Sequence, residues 1–363
     1  MESGTIHLKG LQKVDLAFCD EAASFLQSGF WGSFKARFGW EALAFRAEWV
    51  NNGTKPLLVL HRSLGAGLSL AYVPWGPELP AGFPAEDRNA ALGEAAGLIK
   101  TFLPGNTIFI RFDPPWYAEH TEYIEEKAMP LSLPRPFTRS GADIQPPDTV
   151  ILDLKEGMES VFEKMKPKWR YNARLALKKG VKVHQANGEE TDVFYSLLKE
   201  TARRDGIAIH EVEYYRSLIE NSWYNCTGIG IAPDIRLYLA EHEGDLLAGI
   251  VTLFRGREAI YLYGASSDKK RSLMAPYALQ AKAMEDAITF GCEEYDLFGI
   301  PPNEDPSHPM AGLYRFKTGF GGRIIHRPGS WDYPCRPLIY SLFRGAETLR
   351  KNLRTIKKKI RRG

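Results

Sequence analysis

Residues 236–267 read RLYLAEHEGDLLAGIVTLFRGREAIYLYGASS. Three apolar runs rich in Leu, Ile, Val, Phe and Tyr are separated by two short polar turns, at 243–245 and 255–258. Runs of this length, bounded by turns of this kind, predict three antiparallel strands joined by hairpins. Tyr261 and Tyr263 stand two apart on the third run, so the strand period places them on one face. Paired tyrosines there ordinarily serve cross-strand packing. A long helix is predicted over 275–291, then a buried strand, EYDLFGI (294–300), and a polar loop over 301–309.

Strands, a loop, a long helix, a strand and a second helix is the element order of an acetyl-CoA-dependent acyltransferase core. The same order can be drawn, less clearly, upstream. Strands are predicted at 43–49, 56–62 and 66–73, a helix at 87–102, and a strand in TIFIRFDPPW (107–116) that Pro114 and Pro115 end. The expected fold is α/β, two tandem GNAT-like (acyl-CoA N-acyltransferase-like) domains, which suits 363 residues at about 100–200 per domain. Yet no R/Q-x-x-G-x-G/A loop precedes the 275–291 helix. SSDKKRSLMAPYALQ stands there instead. A pantetheine pyrophosphate rests on backbone amides at such a loop, so acetyl-CoA is disfavoured as donor.

Composition narrows the class further. Hydrophobic residues make up 44% and aromatics 12%, enough for two ordinary cores. Cys19, Cys226, Cys292 and Cys335 are far apart, with no CxxC or Cys/His pair at metal-ligand spacing. No metal or cofactor is therefore expected, and a reducing cytoplasm is the simplest setting. The N-terminus carries no basic start followed by an apolar run, and no stretch approaches the roughly 18 apolar residues of a membrane span.

Charge is uneven despite a net value of only +3. The run KMKPKWRYNARLALKKGVK (164–182) has no acid. In it Lys168, Arg170, Arg174 and Lys178 are spaced by two or four, and several share a helix face. Such a run is ordinarily a solvated face; interleaved with Trp169 and Tyr171 it also suits nucleic-acid or phosphate contact. The last twenty residues are basic as well, with a single acid, Glu347.

Four further features carry candidate chemistry. HPMAGLYRFKTGFGG (308–322) packs Arg315, Phe316 and Lys317 against Gly319, Gly321 and Gly322. It reads either as a glycine-capped helix end or as an anion site beside a tight turn. A helix over 21–38 puts Gln27, Trp31 and Lys35 on one face. Asp113 sits at the carboxyl end of the 107–116 strand, either as a turn-former before proline or as a functional strand-end acid. The amphipathic 189–204 helix ends at Arg203 and Arg204, before Gly206. A strand at 149–154, a helical span over 157–179 interrupted by Pro167, a strand-and-turn at 323–334 and a helix at 337–363 complete the pattern.

FLQSGFWGSFK (25–35), RFDPPW, KMKPKWRYNARLALKKGV, FYSLLKETARRDG, YGASS, YDLFGIPP, HPMAGLYRFKTGFGG and WDYP together resemble the Fem-type (FemABX) peptidoglycan bridge-forming aminoacyltransferases, across nearly the whole chain. The resemblance implies transfer of an amino acid from aminoacyl-tRNA to an amine on the stem peptide of a peptidoglycan precursor, lipid II or its UDP-linked form. It implies a first domain of 1–148 with 320–363 and a second of 149–319. The span between the 190–204 helix and the 236 strand is too short for the family's coiled-coil arm, so the chain looks like the arm-less subgroup.

Carried onto this sequence by motif position, Lys35 and one of Arg203 or Arg204, Arg204 preferred, look like ligands of the precursor diphosphate. Tyr263, with Tyr261, looks like part of the precursor pocket. Phe316 and Lys317 look like acyl-transfer residues, and Asp113 like an acid near the acceptor peptide. Lys168, Arg170, Arg174 and Lys178 become candidates for the tRNA backbone. The basic C-terminal helix becomes a candidate contact with tRNA or with anionic lipid on the inner face of the cell membrane. An acyl-CoA-dependent N-acyltransferase, or a non-catalytic RNA- or membrane-binding module, are the alternatives.

Overall fold

The computed structural model describes residues 7–50, 53–120, 132–224 and 231–360, with residues 222 and 350–360 by backbone alone. The first half runs β1 (Leu8–Lys13), α1 (Gly29–Ala36), β2 (Glu41–Trp49), β3 (Gly53–Gly65), β4 (Leu68–Val73), α2 (Arg88–Phe102), β5 (Thr107–Phe112), β6 (Ala118–Glu119) and β7 (Thr138–Arg139). The second runs β8 (Asp148–Asp153), α3 (Gly157–Lys164), α4 (Pro167–Lys178), β9 (Lys182–Ala186), α5 (Thr191–Asp205), α6 (Val212–Ile219), β10 (Asp234–His242), β11 (Asp245–Arg255) and β12 (Glu258–Ser266). It closes with α7 (Ala275–Phe290), β13 (Glu294–Gly299), α8 (Ala311–Thr318), β14 (Arg323–His326), β15 (Trp331–Pro334) and α9 (Pro337–Ile360).

These elements build two sheets, β1-β2-β3-β4-β5-β15-β7 and β6-β14-β8-β13-β12-β11-β10-β9. In each, a four-strand antiparallel meander meets a fifth strand in parallel, β4 beside β5 and β12 beside β13. A parallel neighbour requires a crossover; α2 supplies it in one half and α7 in the other. In each sheet an antiparallel strand from elsewhere in the chain covers the outer edge of that parallel strand: β15 on β5, and β8 on β13. The tandem GNAT-like expectation is thus met.

Local chemistry sets the boundaries. Pro167 opens α4, where its missing N–H costs nothing. Gly206, at φ +69°, closes α5 in the left-handed region. The helix expected over 21–38 is shorter. Ser24 and Ser28 side chains accept from the N–H groups of Leu26 and Trp31. Two successive caps start two turns, so the α-helix begins only at Gly29. The segment 323–334 also divides. β14 continues the second sheet and β15 joins the first, so the chain returns to the first sheet at 327–330, beyond the glycine turn at which the domains were divided.

A shared core joins the halves. Phe25, Phe30, Trp31 and Phe34, from the first half, pack with Phe194 and Leu198 of α5, Tyr214 and Leu218 of α6, and Val251 of β11. Burying such side chains contributes about 1.5–3 kcal/mol each, so the seam between the sheets is a packed interior. Among the described residues no helix is long and apolar enough to cross a membrane. Between α5 and β10 they hold only α6, of eight residues, and a 3₁₀ turn at Asn221–Trp223.

Candidate active site at the seam

The second sheet parts where its two parallel strands begin. β12 and β13 pair over three registers, Glu258↔Glu294, Ala259↔Tyr295 and Ile260↔Asp296, and then diverge. A bulge on β12 accompanies the parting. Thr252 of β11 faces Tyr261, but its neighbour Val251 faces Tyr263, leaving Leu262 as the extra residue. The bulge reverses the expected placement of the tyrosines. Tyr261 packs into the core under α7, and Tyr263 into the core at the seam. Tyr261 lies so closely over Gly264 that a Cβ there would come within 1.7 Å of its hydroxyl.

Lys317 fills the gap between the diverging strands. It sits in the last turn of α8, only 5% exposed. Its Nζ donates to the Gly299 carbonyl on β13 at 2.9 Å and lies 5.1 Å from the Tyr261 ring centroid on β12. Burial pulls the ammonium down to about 7, partly opposed by the field of Asp296. Among the described residues no carboxylate pairs with it at ion-pair range. Lys317 is therefore a cation that is readily discharged near neutral pH.

The rest of 308–322 holds α8 in place. Phe316 is half-buried, edge-on to Tyr277 and Phe320 at 5.2 and 5.1 Å. Its carbonyl accepts from Trp169 Nε1 at 2.7 Å. The glycines are demanded by close packing. A Cβ on Gly319 would fall 2.0 Å from the Trp169 ring, and one on Gly322 2.4 Å from the Ile151 carbonyl. The tight turn docks α8 onto α4 and β8, and its glycine positions are occupied by protein rather than open to an anion.

A second cation stands on the other side of the seam. Lys35 Nζ lies 5.4, 5.9 and 5.3 Å from the rings of Trp31, Trp40 and Tyr214. Arg62 stacks over Trp40 at 5.4 Å. Burial, then the like charge of Arg62, bring Lys35 down to about 8. Neither cation is ion-paired to a carboxylate among the described residues, so the aromatic cage presents two cations for an anion. Tyr214 continues the wall, stacked on His210 at 3.9 Å. Tyr263 follows, edge-on to Tyr215 at 5.2 Å. Trp40, Arg62, His210 and Tyr214 carried no signal in the sequence, because three separate segments bring them to Lys35.

The two arginines at the end of α5 differ. Arg204 is committed: Nε donates to Asp205 at 2.9 Å and Nη1 to the Ser266 carbonyl at 2.8 Å, with Asp268 at 3.3 Å. Arg203 is exposed and has no such ties among the described residues. The preference for Arg204 as the anion ligand is therefore not supported by its contacts.

Asp113 lies just past β5, 3% exposed. It accepts from the Tyr72 and Ser330 hydroxyls and from the Gln145 N–H at 3.3 Å. Burial raises its carboxyl to about 6, against the pull of those donors. The 145–146 segment connects it with the lysine. Gln145 bonds Asp113, while Pro146 lies where a Cβ on Gly299, the residue that holds Lys317, would come within 2.8 Å.

On α4, Lys168, Arg174 and Lys178 are exposed, with Tyr171 at 62%. Arg170 turns inward and donates to the Phe162 carbonyl at 3.2 Å. Of the basic C-terminal residues, Arg344 donates to the Arg139 carbonyl at 2.9 Å. The side chains from 350 onward, and Cys226, lie outside the described residues. Cys19, Cys292 and Cys335 are free and buried.

The family model for the FemAB family matches residues 17–225 and 238–348, most of the chain. The lipid II:glycine glycyltransferase of Staphylococcus haemolyticus is 26% identical over 60% of this chain and 65% of its own length. Its Staphylococcus aureus (strain USA300) counterpart is 24% identical over the same shares. The chain thus spans just under two thirds of the length of these relatives. The crystal structure of FemX matches the fold with a TM-score of 0.72 at 20% identity, over 92% of this chain and 99% of that one. With both sheets accounted for by that fold and both halves matched by the family model, this chain belongs to the FemAB family.

Proposed function

We propose that the protein moves an amino acid from aminoacyl-tRNA to the side-chain amine of the stem peptide of a peptidoglycan precursor, lipid II or UDP-MurNAc-pentapeptide. The observation that carries this reading is Lys317, a buried ammonium with no ion-pair partner among the described residues, where two parallel strands part, in a chain of the FemAB family. Relatives named lipid II:glycine glycyltransferase support it. In this reaction the amine attacks the ester carbonyl, a C–N bond forms, and the C–O bond to ribose breaks as the proton released by the amine passes to the departing ribose oxygen. The ester is already activated, so no nucleophilic side chain is needed. Lys317 stabilises the negative charge that develops on the carbonyl oxygen. Asp113 takes up or orients the proton of the incoming amine. Phe316 packs beside the aminoacyl end, and Tyr263 borders the precursor, with Tyr261 on the opposite face of β12 against Lys317. Holding both substrates at one gap supplies much of the acceleration.

In the same reading Lys35 with Arg62, and Arg203 or Arg204, neutralise the precursor diphosphate. Lys168, Arg174 and Lys178 track the tRNA backbone, with Arg170 turned inward. The end of α9 meets anionic lipid, which suits a protein acting at the inner face of the membrane. The domain division, 1–148 with 320–363 against 149–319, belongs to this reading too, with the return to the first domain moved to 327 because β14 lies in the second sheet. Incubation with charged tRNAs and either precursor, followed by mass, tests it. A mass gain of one or more amino acid residues is expected. No gain with any of the twenty charged tRNAs would reject it.

A further inference from the structure

The first turns of α9 are two-sided. Tyr340 and Phe343 pack their rings against Phe109 of β5, each at 5.5 Å, and fix the helix to the first sheet. Leu338, Leu342 and Leu349 lie on another side, 84%, 76% and 61% exposed. By helix period the three leucines fall within about 40° of one another, and Tyr340 and Phe343 about a quarter-turn or more away. Leu338 and Leu342 are the two most exposed large apolar side chains among the described residues. Apolar side chains scattered singly over a surface need no partner, but a line of them along one helix marks a contact. The sequence keeps the spacing of three and four onward, at Leu353, Ile356 and Ile360.

Charge selects the partner. Residues 344–363 hold nine Lys or Arg against one acid, Glu347. RNA phosphates take up such cations but gain nothing from exposed leucines. An anionic bilayer takes both, its head groups meeting the cations and its acyl boundary the leucines.

The fold sets this helix beside the cation cage. Arg62 of β3 stands opposite Leu70 of β4, and Leu70 opposite Phe109 of β5. Residues paired across strands share a face of the sheet. Arg62 and the Phe109 ring that carries α9 are therefore on one face, two strands or about 10 Å apart. Leu70, between them, packs against both the seam core and the Tyr340 cluster.

We propose that α9 is an in-plane membrane anchor. Leu338, Leu342 and Leu349 enter the acyl boundary of an anionic bilayer, the basic residues of the helix meet its head groups, and the cage of Lys35 and Arg62 is held at head-group level. No helix among the described residues is apolar enough to cross a membrane, so α9, of 24 residues, lies along the bilayer. Cations alone give a contact that salt removes, and the leucines add one that salt leaves in place. The placement of the cage rests on its reading as a diphosphate site. A diphosphate carried on a lipid stands at that same level, so the anchored enzyme meets a lipid-linked acceptor at the surface.

Flotation of the full chain with vesicles of phosphatidylcholine and phosphatidylglycerol tests this, at low salt and at about 1 M salt, where the screening length falls to about 3 Å. The wild type is expected to float at low salt and to stay partly bound at high salt. Leu338→Ser, Leu342→Ser and Leu349→Ser combined are expected to weaken vesicle binding about 100-fold or more, less than full burial of three leucines is worth. The same variant is expected to keep its affinity for uncharged tRNA. No flotation of the wild type, or its complete release at high salt, overturns the proposal, and both readings use unaltered protein. Unchanged flotation of the variant overturns it too. So does a loss of tRNA affinity in the variant, which would assign the stripe to RNA, or a wild-type dimer that the variant turns into a monomer, which would assign it to a second copy. Protein that floats but transfers no amino acid would sink the transfer reading and leave the anchor standing. Transfer to UDP-MurNAc-pentapeptide by protein that does not float would do the reverse.

Discussion

The two sheets share a plan and differ at one place. In the first, β4 and β5 pair from Ser69↔Thr107 to Val73↔Phe112, and the ladder continues as Asp113 N–H meets the Val73 carbonyl and Gly76 N–H the Asp113 carbonyl. In the second, β12 and β13 pair over three registers and part. The closed pair ends in an acid, Asp113, held by Tyr72, Ser330 and Gln145. The open pair ends in a cation, Lys317, held by one carbonyl and one ring. A closed ladder satisfies its own backbone and buries its polar end-group among donors. An open one exposes backbone carbonyls inside the protein, and a buried ammonium is what meets them.

The comparison can be broken first at Lys317. Its ordinary value is 10.5 and its folded value about 7. Between those values the unfolded chain binds a proton that the folded one does not, so stability rises with pH across that window. Below about 7 the full cost of burying the charge is present. Lys317→Met is therefore expected to stabilise the fold by a few kcal/mol at neutral pH, with the gain shrinking as pH rises above 7. Urea unfolding from pH 6 to 10 reads this. A variant less stable than wild type at every pH would contradict it.

Asp113 gives the opposite window and a smaller effect. Its carboxyl is raised from 3.8 to about 6. Between those values the folded chain holds the extra proton, so stability falls as pH rises and the cost is complete above about 6. Asp113→Asn is expected to flatten that slope, worth on the order of 2–3 kcal/mol. An unchanged slope from pH 3.5 to 7 would show that Asp113 ionises as freely as in the unfolded chain.

The smallest expected effect belongs to Lys35, which is already partly relieved by its aromatic cage. Lys35→Met should weaken binding of the UDP-linked precursor about tenfold or more, as loss of a charged hydrogen-bond donor does. In the wild type, binding should weaken as pH rises through about 8, where Lys35 discharges. Titration of precursor into both proteins between pH 6.5 and 9 separates them. A wild-type affinity that does not move across that range would remove Lys35 from the diphosphate.

The alternation of apolar runs and turns in 236–267 made the second sheet legible, because strand period and turn chemistry are local. The bulge at Leu262 was not, since it depends on the register with β11, and it sent Tyr261 and Tyr263 to opposite faces. Lys317 was legible as a cation beside glycines. Its burial was not, because Gly299 and Tyr261 come from two other elements. The glycines of 319–322 looked fit for an anion and proved fit for Trp169 and the Ile151 carbonyl, partners 150 or more residues away. Arg204 looked like the better ligand until its ties to Asp205 and Ser266 were visible.

The account stands or falls on the gap at Lys317. Its most direct test is single-turnover transfer from charged tRNA to UDP-MurNAc-pentapeptide, followed by mass, for the wild type and for Lys317→Met at equal folded concentration. The wild type should add an amino acid residue to the acceptor, and Lys317→Met should do so about 10²–10³-fold more slowly, the scale for loss of one oxyanion-stabilising donor. Transfer by Lys317→Met at the wild-type rate would contradict it.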